Sequence, residues 1–328
     1  MSQSITSTRV TQIAVLEEFS LFLLLAEKAL IAHHLDTVLN PATSSSANNS
    51  TASYTSRAPQ KLSGARDIGF FAHGRMKDRE LIFYKKREGV TSVFKVLEPI
   101  FQRSGSVTST GSNASMRSRF MSGMRMKSYT GTEAFRDFDD FYIGSDTYAI
   151  NLFHSSLAIS TVRGIEVMTL DKKTPISVPD LKAPEVASTA NRIKDQKPLG
   201  MFRLSDSEFL LAYEEVGVYV NKHGDVSRGV VMDYVGRAKQ ACLVGSTYLI
   251  LVDYNGLYVE VRNAISGRLR QVISGRDVKL LDDGMSGGSV APGGKGHLPG
   301  NVKICMQHPE WERNQIVLEM IVNEGLKE

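Results

Sequence analysis

The same unit recurs four times along this chain: an apolar strand-like run, a tight polar or glycine turn, and a second alternating run. The copies are residues 21–36 (LFLLLAEKALIAHHLD), 156–171 (SLAISTVRGIEVMTLD), 208–225 (EFLLAYEEVGVYVNKHGD) and 247–267 (TYLILVDYNGLYVEVRNAISG). Gly217 and Gly256 fall at matching turn positions 39 residues apart, and Leu21 and Ser156 lie 135 apart, three steps of 45. A period of about 40–45 residues belongs to propeller blades. A lone four-stranded blade leaves both faces open, so blades stack radially and share one ring of core. The expected fold class is therefore all-β, a WD40-like β-propeller with five to six blades' worth of strands. Function in such a ring sits on loops and rims, which makes binding the default expectation.

Local propensity disagrees with this frame at one place. Leucine, alanine, glutamate and lysine make residues 21–35 read as a helix, yet the other three copies are rich in Val, Ile and Tyr with glycine turns, which favours a hairpin. IGFFAHG, RELIFYKKREG and TSVFKVLEPI read as three strands, with a polar turn over 75–78 between the first two, and FRDFDDFYI as an outer strand. A short helix is expected over 185–193, bracketed by prolines. Residues 197–281 read as two blades in a row, and NVKICMQ and NQIVLEMIVNEG supply two last strands. Three stretches, 40–60, 102–132 and 284–300, are too polar or glycine-rich to order themselves by burial and are expected to be disordered inserts. The whole of 1–328 is thus read as one propeller domain. Because it opens on a strand and stops halfway through a blade, it is expected to be incomplete at both ends.

Charge excludes less than it suggests. With 39 basic against 35 acidic residues, no global field recommends nucleic acid or a membrane as main partner. Cys242 and Cys305 lie in apolar runs, as buried free thiols do, and nothing resembles a disulfide framework. Residues 19–35 are the most apolar, but Glu27, Lys28, His33 and His34 interrupt them, which fits neither a bilayer span nor a secretory signal.

Enzyme motifs are poor. Residues 284–288 (GMSGG) match a nucleophile-elbow pattern but lack the strand and helix that expose the serine. Gly293, Gly294, Gly296 and Gly300 with Lys295 have neither phosphate-loop nor dinucleotide spacing. Asp137, Asp139 and Asp140 lack the glycine and distal glutamate of a calcium loop. His33 and His34, adjacent on a strand, would face opposite sides. His308, Glu310 and Glu312 read as a polar loop between strands. No catalytic residue, cofactor or metal site is expected. The strongest local charge is Arg103, Arg117, Arg119, Arg125 and Lys127, interleaved with serines and without an acid between Glu98 and Glu133. Anionic lipid attracts such a stretch by about 1 kcal/mol per basic residue, and phosphorylation would cancel that attraction. Aromatic stacking partners are sparse there, so nucleic acid is not expected.

The segments KLSGARDIGFFAHGRMKDRELIFYKKREG, FRDFDDFYIGSDTYAINLFHSSLAISTVRGIEVMTLDKK, KPLGMFRLSDSEFLLAYEEVGVYVNKHGDVSRG and GRLRQVISGRDVKLLDDG resemble the citron homology (CNH) domain found in fungal guanine-nucleotide exchange factors for Rho-type GTPases. The resemblance covers nearly all of the chain outside the three inserts. It implies a seven-bladed propeller in a cytoplasmic regulator of cell-wall integrity signalling at the cell cortex, with the exchange domains elsewhere and no catalytic residues in the ring. The implied partners are a Rho-type GTPase and other domains of the same exchange factor. An alternative is a membrane module binding phosphoinositide through the basic insert. On the scaffold reading, a cationic rim carries the contact, and its candidate residues are Arg163, Lys222, His223, Arg228, Arg237, Arg262 and Arg276.

Overall fold

The computed structural model describes residues 6–39, 59–62, 68–88, 91–100, 134–181, 184–284, 301–311 and 314–323. They form six antiparallel sheets, each a simple meander. The first sheet comprises β1 (Val10–Leu16), β2 (Leu21–Ala26), β3 (Ala29–His34) and β4 (Gln60–Lys61). The second comprises β5 (Ile68–Met76), β6 (Arg79–Glu88), β7 (Thr91–Pro99) and β8 (Phe135–Ile143). Then follow β9 (Thr147–Leu152), β10 (Leu157–Thr161), β11 (Gly164–Met168) and β12 (Ile176–Val178). The fourth sheet holds β13 (Pro198–Arg203), β14 (Glu208–Tyr213), β15 (Val216–Asn221) and β16 (Met232–Asp233), and the fifth β17 (Ala238–Val244), β18 (Tyr248–Asp253), β19 (Tyr258–Asn263) and β20 (Leu269–Ser274). The sixth has three strands, β21 (Lys279–Asp282), β22 (Val302–Gln307) and β23 (Gln315–Met320). Two short helices, α1 (Leu35–Leu39) and α2 (Ala187–Ile193), lie in connections.

The first strand of each sheet lies innermost. β5 packs against β9, β9 against β13, β13 against β17, β17 against β21, and β21 returns against β1. Where the family resemblance implies seven blades, the described residues make six, five with four strands and one with three.

Burial of both faces explains why these strands read as solid apolar runs. On β6, Ile82 and Tyr84 face the first sheet, while Leu81 and Phe83 face the third. Similar clusters fill the seams between the third and fourth, fourth and fifth, and fifth and sixth sheets. In the second seam Phe94 stacks on Phe141 with centroids 5.0 Å apart. Three of the inner strands also reach their neighbour with an amide side chain. Gln12 of β1 pairs both backbone groups of Phe71 on β5 (2.9 and 3.1 Å), Asn151 of β9 accepts from Met201 N–H (2.9 Å), and Gln240 of β17 accepts from Leu280 N–H (3.1 Å).

The leucine-rich hairpin over 21–35 is a hairpin: Leu21, Leu23 and Leu25 are buried in the first seam, and that burial overrides helix propensity. Two expectations need correction. Gly217 lies within β15, not in a turn; a Cβ there would meet Leu210 Cδ1 at 3.0 Å, so close packing explains the glycine. Gly256 does occupy a turn, at φ +72°, so the 39-residue match does not pair equivalent positions. The turn expected over 75–78 narrows to Lys77 and Asp78, because β5 runs on through Met76. Gln60, the last residue of the first expected insert, pairs with Ala32 as part of β4.

The meander gives the ring two chemically different ends. Turns between second and third strands, together with the links to the next sheet, lie at one end, here the link rim. Turns between first and second and between third and fourth strands lie at the other, the insert rim. Residues 39 to 59, 100 to 134 and 284 to 301 bound the three low-complexity stretches, and all three pairs of ends belong to the insert rim. Ile100 N–H bonds Ala134 C=O at 2.8 Å, so the second stretch leaves and returns at one point.

Candidate docking rim

The link rim is short-turned and carries large exposed side chains. Val162, Val235, Tyr254, Leu257 and Trp311 come from four consecutive sheets and are each 50–60 % exposed. The turns beneath them are stiff. In the β18–β19 turn the Asp253 carboxylate accepts from Asn255 N–H (3.1 Å) and Leu257 N–H (3.0 Å), and Gly256 C=O accepts from Val278 N–H (3.0 Å). In the β22–β23 turn His308 Nδ1 accepts from the N–H groups of Glu310 (3.1 Å) and Trp311 (3.2 Å), and the Trp311 ring stacks on the imidazole at 4.5 Å. His308 is therefore a turn-forming residue. Beside it a shallow cleft of ≈ 850 Å³ opens between Asp277, Trp311 and Ile316.

Three of the candidate cations lie on this rim. Arg237 gives two hydrogen bonds to the buried Glu214 carboxylate (2.9 and 2.8 Å), and its guanidinium lies 4.5 Å over the Tyr254 ring. The pair fixes the tyrosine face and holds the guanidinium protonated, mainly through the Glu214 hydrogen bonds. Arg163, in the β10–β11 turn, and Arg276, in the β20–β21 link, are exposed.

The other four candidates lie elsewhere. Lys222 and His223 are exposed in the β15–β16 connection on the insert rim. Arg228, in the same connection, forms a two-pronged pair with Glu208 (2.8 and 2.5 Å), lies 3.7 Å over Tyr219 and donates to Ile265 C=O. Its hydrogen bonds hold the Glu208 carboxyl below the usual carboxylate range, against the opposing effect of partial burial. Arg262 belongs to β19, where it pairs with the buried Glu260 and donates to Gly267 C=O (2.8 Å). Arg228 thus ties the fourth sheet to the fifth, whereas the contacts of Arg262 stay within the fifth. The seven candidates do not converge on one patch.

Arg103, Arg117, Arg119, Arg125 and Lys127 lie outside the described residues. So do residues 285–300, with the glycines near Lys295. Asp139 and Asp140 of β8 pair with Lys173 and Lys95, and no group of three metal-ligating side chains occurs among the described residues. Both cysteines are buried free thiols, with burial pushing the Cys242 and Cys305 thiols up. No helix among the described residues is long and apolar enough to cross a membrane. What sequence reasoning missed is the apolar part of the rim. The single tryptophan, next to a Pro-Glu turn signal, was the available clue.

These features define a class: a β-propeller of six described sheets with exposed aromatic and apolar side chains on one rim. The CNH domain family matches residues 1–284, and the chain belongs to that family. It is 28 % identical over 324 residues to Rho1 guanine nucleotide exchange factor 3 of Schizosaccharomyces pombe, covering 95 % of this chain and 22 % of that protein. It is 26 % identical over 291 residues to Rho1 guanine nucleotide exchange factor 1 of the same yeast, covering 87 % of this chain and 19 % of that protein. The chain thus spans about a fifth of the length of these relatives. Among solved structures the "AfRom2 CNH domain" aligns with a TM-score of 0.66 at 20 % identity, over 96 % of this chain and 81 % of that one, a likeness of fold.

Proposed function

We propose that this propeller is a non-catalytic docking module of a Rho exchange factor and that it binds a Rho-type GTPase through its link rim. The carrying observation is the composition of that rim. Tyr254, Trp311 and Arg237, flanked by Val235 and Leu257, are the residue types that dominate interface energetics when seated on stiff backbone. The relatives' designation as Rho1 guanine nucleotide exchange factors supplies the partner class. A standard interface of about 1,600 Å² draws on about 20–30 residues per side, which four adjacent sheets can offer. Docking would hold the GTPase near exchange domains in the same polypeptide and raise its effective concentration there. That role belongs in the cytoplasm at the cell cortex, in cell-wall integrity signalling.

Titration of the full 328-residue chain with Rho1, loaded with GDP or a non-hydrolysable GTP analogue, tests this by calorimetry. Saturable binding at micromolar affinity or tighter is expected in at least one nucleotide state, weakened about tenfold or more by Trp311→Ala or Tyr254→Ala. Both side chains are half exposed or more, so thermal unfolding should be little changed. No binding in either state contradicts the proposal.

A further inference from the structure

A second recognition feature lies away from the link rim, in the cleft of ≈ 330 Å³ between the third and fourth sheets. Its floor is apolar. Phe153 and Phe209 meet edge to face at 5.5 Å, and Val167, Val178 and Met201 close the bottom. Ile176, on the outermost strand β12, stands 68 % exposed at one wall. The walls are tied together, since Asp180 N–H bonds Gly224 C=O at 3.2 Å across the sheets. The opposite wall is stiffened by Asn221, whose side-chain oxygen accepts from His223 N–H (2.8 Å) and Asp225 N–H (3.1 Å). Its lip is basic. Lys222, His223 and His154 are exposed without an ion pair among the described residues. The acid lining the cleft, Asp206, is already paired with Arg203.

We propose that this cleft binds an acidic peptide segment in extended form, with an apolar side chain as its anchor. The cleft offers an apolar slot about the size of one or two side chains, a lip of one lysine and two histidines with no ion pair among the described residues, and a neighbouring strand at the edge of its sheet. An anchor such as Leu or Phe would pack on Phe153 and Phe209, and flanking carboxylates would meet Lys222, His223 and His154. The segment's backbone would run beside β12, whose outer edge has no strand partner among the described residues. The site is separate from the link rim and does not depend on the GTPase proposal.

The test uses the full chain and three fluorescein-labelled hexapeptides read by polarisation: EELFEE, its basic counterpart KKLFKK, and EESSEE without the anchor. Saturable binding is expected for EELFEE alone, with the two controls at least about tenfold weaker. The double variant Lys222→Glu with His223→Glu, both in an exposed turn, should weaken EELFEE about tenfold or more. Ile176→Asp should do the same from the other wall, and melting temperatures report whether each variant is folded. If Ile176→Asp fails to fold, the double variant decides. Absence of EELFEE binding, equal binding of KKLFKK or EESSEE, or an unchanged affinity in the folded double variant overturns the proposal. The GTPase is absent from the assay, so its outcome and that of the docking reading are independent.

Discussion

At the scale of single residues, the hairpin turns and one histidine carry costs that can be read out. Lys77 and Asp78 turn the β5–β6 hairpin at φ +47° and +63°, the left-handed region that Asn-Gly turns prefer. Asp78 is exposed, and Asp78→Gly should raise the unfolding free energy by about 0.5–1 kcal/mol and with it the urea midpoint. An unchanged or lowered midpoint would show that the turn is unstrained. His33 is half buried, its Nε2 has no hydrogen-bond partner among the described residues, and burial pushes its imidazole below the ordinary value. The fold therefore favours the neutral ring, and as pH falls the unfolded chain takes up the proton first. This contribution to stability is complete above about pH 6.5 and is lost as pH falls from there through the lowered folded value. His33→Gln should flatten the stability profile below about pH 6.5; an identical acid-side slope in the variant would refute this. Sequence reading could place arginines in turns but not foresee their use, because the neutralising partners are distant. Arg228 meets Glu208 across 20 residues and Arg237 meets Glu214 across 23.

At the scale of elements, strand identity was legible wherever the apolar run was bounded by turn chemistry. β13–β15 and β17–β20 follow the expected segments closely, the strand expected over 229–235 shrinks to Met232–Asp233, and α2 falls inside the expected short helix. The failures have physical causes. Gly217 looked like a turn because glycine is usually a turn residue, whereas here it admits Leu210 and Tyr234 against β15. β21, only Lys279–Asp282, is too short to show alternation and becomes a strand by pairing with β22. The amide bridges between inner strands could not be foreseen either, since a glutamine signals nothing until the ring sets two strands side by side. Gln12 satisfies both the N–H and the C=O of Phe71, so Gln12→Ala should cost about 1–3 kcal/mol. Faster amide exchange at Phe71 should accompany that loss. Normal exchange there and an unchanged melting temperature would mean that solvent replaces the bridge.

At the scale of the whole molecule, the recurrent two-run unit announced radial stacking, and the six sheets with their shared seams bear that out; the three steps of 45 do not hold, since Leu21 and Ser156 belong to the first and third sheets, two blades apart. A period cannot give the number of blades, because closure depends on the angle between sheets. Nor does it tell which turns share an end; that follows only once the strands are paired. The meander then sorts the molecule into a link rim of stiff, aromatic-bearing turns and an insert rim from which the three low-complexity stretches depart. This separation is the core of the docking account: the proposed recognition surface at one end, the three low-complexity stretches at the other. Hydrogen exchange of the full chain with and without the proposed GTPase partner tests it most directly. The account predicts slowed exchange at residues 162–163, 235–237, 254–257 and 308–311, with residues 222–228 and 264–268 unchanged. Protection confined to the insert rim, or none at saturating GTPase, would contradict it.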